Sequence, residues 1–93
     1  MDGPRAIAMD LAAKFEDALA RVKTLKVTPA NESLLALYAL YKQATAGDAA
    51  GKRPGMMDFK GRAKFDAWDA RKGMSKDGAM EAYVALVEKL VAG

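Results

Sequence analysis

The sequence predicts an all-α fold, on three observations. Alanine is abundant and β-branched residues are few, only three prolines occur, and apolar residues recur at helical spacing in four separate stretches. The 93 residues make one domain, near the lower end of what a hydrophobic core alone can hold, burying about 65% of the unfolded surface. The chain has no cysteine, hence no disulfide framework, thiolate nucleophile or sulfur-bound zinc. It has no histidine either, which removes the commonest general base and the commonest metal ligand. Binding is therefore a better starting reading than catalysis.

Residues 1–10 read as a lead-in, because Met1 to Met9 contains Gly3 and Pro4 and shows no periodicity. Residues 11–93 read as the folded domain. Asp10 is placed to cap a first helix running to about Leu25, with Phe15, Ala18, Leu19 and Val22 on its apolar stripe. Pro29 marks the break that follows. Asn31 then suits the N-cap of a second helix, with Glu32 in the first turn; Thr28 as cap with Pro29 at the first helical position would start it a turn earlier. Gly47 suits its C-terminal stop.

Asp48 to Asp58 reads DAAGKRPGMMD, an ordered loop or a flexible linker longer than a tight helix hairpin needs. Two parallel neighbouring helices require such an overhand connection. Met56 and Met57 read as loop anchors packed on the core, or else as adaptable apolar lining for a ligand tail. A third helix is expected from Phe59 or Lys60 to Lys72, with Phe65 and Trp68 turned inward and Ala63, Ala67 and Ala70 offering a smooth packing surface. Gly73 ends it, and Ser75 caps a fourth helix whose stripe is Ala79, Tyr83, Leu86, Val87 and Leu90. Tyr83 alone in that stripe has a polar tip, which should reach water, a polar neighbour or a ligand phosphate.

The chain is organised around Leu34 to Asp48. Tyr38, Tyr41 and Lys42 fall at i, i+3 and i+4, so two rings and an ammonium share one face, suited to a flat, negatively charged ligand. Leu34, Leu37, Leu40 and Ala44 supply a second stripe to bury, so the core does not require those two tyrosines. Net charge is +3 overall, yet Lys42 to Lys72 holds eight basic against four acidic residues, leaving seven against eight elsewhere. The anion-facing region is therefore the middle third.

The sequence carries no recognisable catalytic or metal-binding pattern. GKRPG lacks the spacing and the preceding strand of a phosphate loop, Asp66 and Asp69 read as solvated helix-surface residues, no serine has a histidine partner, and no oxygen-ligand loop for a metal occurs.

The string YALYKQATAGD, followed by RPGMMDFKGRAKFDAW, then KGMS and Tyr83, resembles the acyl-CoA-binding protein family, also called diazepam-binding inhibitor, from Phe15 to Leu90. The resemblance implies an up-down-down-up four-helix bundle. It implies that Tyr38, Tyr41 and Lys42 hold the adenine and 3′-phosphate, that Lys64 reaches the phosphates, and that Tyr83 lines the same site. Lys23 matches a first-helix basic position used less uniformly in the family. Phe65 stands where the family usually has tryptophan, which retains a ring without the indole. Gly78 replaces a usual acid, removing a capping-box partner at a cost of a few tenths to about 1 kcal/mol.

The function implied is reversible binding of medium- and long-chain acyl-CoA esters by an intracellular carrier or buffer, with no chemistry on the ligand, no cofactor and no metal. Transient encounters with acyl-CoA-using enzymes or membrane donors are expected, with no nucleic acid and a monomeric state. No apolar run approaches the ~20 residues of a membrane span, and Asp2 and Asp10 stand where a signal peptide would be basic, so the expected location is the cytoplasm. The alternatives are a helical nucleic-acid-binding module using the basic middle third, which has no recognised motif to support it, and a partner-binding bundle without a small ligand.

Overall fold

The computed structural model describes residues 10–93, so the lead-in reading of Met1 to Met9 lies outside the described residues. Four helices occur, α1 (Leu11–Val22), α2 (Asn31–Ala46), α3 (Phe59–Asp69) and α4 (Lys76–Ala92), with no strand among the described residues. None is long and apolar enough to cross a membrane.

Contacts give the order in space as α1, α4, α2, α3: α4 packs on both α1 and α2, and α3 packs on α2 alone. Side-chain pairs give the directions. Lys64 sits on Tyr38 and Trp68 on Lys42, so four residues forward on α3 matches four residues forward on α2, and the two run parallel. Gln43 near the end of α2 bonds Met74 just before α4, so those two run antiparallel. Phe15 meets Tyr83, and further along Leu25 shares a cleft with Leu90, so α1 and α4 run parallel. The result is up-down-down-up, as expected.

The core is the seam between α1, α4 and α2. Phe15, Ala18, Leu37, Leu40, Ala44, Ala79, Tyr83 and Val87 are buried against one another. No residue of α3 is buried. Phe65 and Trp68 are accordingly half-buried rather than core residues, because α3 has one neighbouring helix and leaves its far side to solvent. Leu34, expected in the buried stripe, is 40% exposed for a related reason: it lies at the start of α2, beside α3.

Helix ends follow local chemistry. Asp10 accepts from Ala13 N at 2.8 Å, Asp58 from Gly61 N at 2.9 Å and Ser75 from Gly78 N at 2.9 Å, each satisfying an orphan donor. A side chain on Gly61 would collide with the capping Asp58 carboxylate. The start of α2 differs from both expectations. Ala30 is its N-cap, with no side-chain bond, and its carbonyl already accepts from Leu34 N at 3.0 Å, which makes Asn31 the first helical residue. α1 ends at Val22 rather than Leu25, where three successive i to i+3 bonds unwind it and the Thr24 hydroxyl donates to Arg21 O at 2.7 Å. α3 likewise ends at Asp69 and continues as tightened turns to Gly73, whose φ of 92° only glycine adopts cheaply.

The α2–α3 connection is ordered. Arg53 makes a two-pronged bond to Asp66 at 2.8 and 2.7 Å, which binds the loop to α3 and makes Asp66 a loop anchor instead of a freely solvated acid. Asp48 Oδ1 accepts from Gln43 Nε2 at 2.8 Å and from Gly73 N at 2.9 Å, closing the end of α2 onto the turn before α4. Met56 and Met57 belong neither to the buried core nor to the lining of the groove between α2 and α3. They occupy the corner of the Gly55–Asp58 turn and are 76% and 89% exposed.

Candidate functional site

The i, i+3, i+4 spacing turns Tyr38, Tyr41 and Lys42 to one side of α2, and each meets a different neighbour. The Lys64 ammonium of α3 stands 5.4 Å from the centroid of the Tyr38 ring, and the Lys42 ammonium 4.8 Å from that of Trp68. Both are cation–π contacts. They stitch the parallel pair together at two levels. Trp68 is held in place by its Nε1, which donates to Gly47 O at 2.7 Å, and by the Phe65 ring at 6.3 Å edge-on.

Tyr41 is 41% exposed and lies nearly parallel to Phe15 of α1, at 6.3 Å and 24°. Phe15 in turn meets Tyr83 of α4 edge-on at 5.2 Å. A row of three rings therefore runs from the exposed face of α2 into the core. Tyr83 is its buried end, 4% exposed. Desolvation, and then the neighbouring Tyr41 phenol, hold the Tyr83 hydroxyl above the ordinary phenol pKa, so it stays neutral and a hydrogen-bond donor at neutral pH.

Between the first turns of α2 and α3 lies a groove of about 430 Å³, lined by Asn31, Leu34, Leu35, Phe59, Lys60, Ala63 and Lys64. Its walls are mainly apolar, with ammoniums at the rim. Lys64 belongs to the groove and also to the Tyr38 contact, so the aromatic face and the groove share a border. A cleft of similar size, about 460 Å³, lies between α1 and α4 among charges of both signs, and none of the residues singled out from the sequence lines it.

Five of the six residues named from the sequence make contacts across helices, in three separate groups: Tyr38 with Lys64, Lys42 with Trp68, and Tyr41 with Tyr83 through Phe15. Lys23 stands apart. It is the exposed C-cap of α1, eight positions beyond Phe15 or about 12 Å along a helix axis, with no ion pair or cation–π contact among the described residues. Sequence reasoning missed Trp68 as the seat of Lys42, and it missed the groove residues Leu34, Leu35, Phe59 and Ala63. A signal for Trp68 existed, since Lys64 and Trp68 repeat on α3 the four-residue spacing of Tyr38 and Lys42 on α2. Among the described residues no group of acidic side chains could hold a metal ion.

Comparison with known proteins agrees with this architecture. The sequence model of the family described as Acyl CoA binding protein matches residues 12–87. The chain is 60% identical over 78 residues to acyl-CoA-binding protein homolog 1 of Caenorhabditis elegans, covering 84% of this chain and 91% of that one. It is 52% identical over 85 residues to the acyl-CoA-binding protein homolog of Manduca sexta, covering 90% and 94%. The crystal structure of Oryza sativa acyl-CoA-binding protein 2 superposes with a TM-score of 0.85 at 45% identity, covering 88% of this chain and 89% of that one. That of the protein from Moniliophthora perniciosa gives 0.77 at 36% identity, covering 90% and 93%. With family sequence, helix order and bundle topology in agreement over nearly all of the described chain, the protein belongs to the acyl-CoA-binding protein family.

Proposed function

We propose that this chain is a cytosolic carrier that reversibly binds medium- and long-chain acyl-CoA esters and performs no chemistry on them. The observation that carries the reading is the shared border at Lys64, where an aromatic face bearing two ammoniums adjoins an apolar groove. Such esters have a polyanionic nucleotide head and an apolar tail, and free in water they partition into membranes. A carrier must satisfy both halves.

On this reading the adenine stacks at Tyr38 and Tyr41, worth about 1–3 kcal/mol by analogy with base stacking. Lys42 and Lys64 meet phosphate oxygens through charge-assisted bonds and fix orientation. Tyr83 closes the site from below, and Lys23 reaches the ligand only by extending from the end of α1. The acyl chain follows the groove past Leu34, Leu35 and Ala63. At about 0.8 kcal/mol per buried methylene, a dozen methylenes contribute up to ~10 kcal/mol before ordering costs. The tail therefore decides affinity and the head decides orientation.

Titration calorimetry with CoA and palmitoyl-CoA tests this. The ester is expected to bind far more tightly than CoA; equal affinities would remove tail burial from the account.

A further inference from the structure

The turn at Gly55 to Asp58 carries an anomaly that ligand binding does not explain. Turn corners favour small or polar residues, yet this one carries Met56 and Met57, 76% and 89% exposed, and Phe59, 77% exposed, begins the helix directly after it. Three large apolar side chains within four positions thus protrude into solvent, where isolated exposed residues would be ordinary but a cluster is not.

The charges flanking the cluster are mostly basic, and Asp58 is the one acid inside it. Lys52 lies in the same loop and Lys60 and Lys64 line the adjoining groove, with no carboxylate among the described residues at ion-pair distance from any of them. The nearby acids are engaged elsewhere: Asp58 caps α3 through Gly61 N, and Asp66 is held by Arg53. The protrusion is convex, with unbranched methionines at its tip. A folded protein partner would have to offer a matching pocket for it. The acyl boundary of a bilayer would not, and anionic headgroups would meet the lysines.

We propose that Met56, Met57 and Phe59 form a membrane-docking tip that inserts into the interface of an anionic lipid bilayer, with Lys52 and Lys60 against the headgroups. Phe59 is both part of the tip and part of the groove wall. Docking therefore sets the groove mouth at the lipid surface, where a tail can pass between bilayer and protein with little exposure to water. This role for the tip rests on the carrier reading above, but the docking itself is measured without any acyl-CoA.

The test is co-sedimentation of the protein with phosphatidylcholine vesicles, with and without phosphatidylserine. The wild type is expected to bind the phosphatidylserine vesicles about tenfold more tightly, with that preference shrinking as salt is raised. The double variant Met56→Ser with Met57→Ser is expected to lose about tenfold in vesicle binding. Its circular dichroism and its calorimetric affinity for palmitoyl-CoA in vesicle-free solution should stay unchanged. Equal sedimentation of wild type and double variant, or no sedimentation of the wild type with phosphatidylserine vesicles, would overturn the proposal. So would a concentration-dependent dimer on gel filtration that the double variant abolishes, which would assign the tip to a second copy of the chain. Failure of palmitoyl-CoA to bind in solution would instead sink the carrier reading and leave the docking result standing.

Discussion

The Lys64 ammonium lies 5.4 Å from the centroid of the Tyr38 ring, so a cation from α3 rests on the π-face that a nucleotide base would use. A base and an ammonium cannot both occupy that face. If the base stacks on Tyr38 as proposed, ligand entry exchanges a cation–π contact, worth about 0.5–1 kcal/mol at an exposed site, for base stacking plus an ammonium freed to meet phosphate.

From this exchange follows the first expectation. Tyr38→Ala should weaken acyl-CoA binding by about 1–3 kcal/mol, and Lys64→Ala by a similar amount through the lost charged bond. Neither side chain is part of the buried core, so circular dichroism should keep its helical signature in both. Calorimetry and thermal melts on the same samples decide the matter. Two variants that unfold would assign the pair to structure instead.

Salt separates head from tail. On the proposed reading, screening acts on contacts of Lys42 and Lys64 with phosphate and leaves tail burial untouched, so raising ionic strength should lower palmitoyl-CoA affinity only in part. A titration series in salt checks this, and an affinity that collapsed entirely would mean that charge dominates the complex.

Tyr83 requires a different substitution from Tyr38. It is 4% exposed and meets Phe15 at 5.2 Å, so Tyr83→Ala should cost about 3–5 kcal/mol of stability and report on folding before it reports on binding. Tyr83→Phe keeps the ring and isolates the hydroxyl. The phenol pKa is raised in the folded state by burial and then by Tyr41. The stability linked to it is complete below the unfolded phenol value, about 10, and declines as pH rises towards the folded one. Alkaline melts should show that decline in the wild type and less of it in Tyr83→Phe.

The contrast between the two tyrosines shows what the sequence could and could not carry. Helical periodicity locates Tyr38, Tyr41 and Lys42 on one face because that is a property of a single helix. The same periodicity placed Phe65 and Trp68 inward, since a stripe reveals which side is apolar but not how many neighbours the helix will have. α3 has one. Leu34 misled for the same reason, its stripe running past the end of the core into a groove. Caps set by side chains, Asp10 and Ser75, were legible. The cap at Ala30 uses only backbone and left no mark in residue type.

Gln43 is the residue whose role depends most on the assembled fold. It is fully buried, and its Nε2 donates to Asp48 Oδ1 and to Met74 O, both at 2.8 Å. Gln43→Ala would leave a cavity and an inward-facing carbonyl without its donor, at a cost of about 2–4 kcal/mol. Chemical denaturation measures it directly. A loss below about 0.5 kcal/mol, typical of a surface site, would show that water replaces the amide freely.

Asp48 extends that clip into a pH dependence. Its carboxylate accepts from Gly73 N and Gln43 Nε2, and these bonds, with a smaller attraction from Lys72, hold its pKa below the usual carboxylate range against a smaller opposing desolvation. A depressed folded pKa means that the stabilisation is present above the unfolded value, near 4, and is lost as pH falls through the folded one. Asp66, held low first by its bond to Arg53, titrates in the same direction. Acid melts of the wild type should therefore fall steeply below about pH 4. Asp48→Asn has no carboxylate to protonate, so it should start lower at pH 7 and fall less steeply, with Asp66 still contributing. If Asp48→Asn lost stability on acidification as fast as the wild type, the closure of α2 onto the turn before α4 would not depend on the charge at position 48.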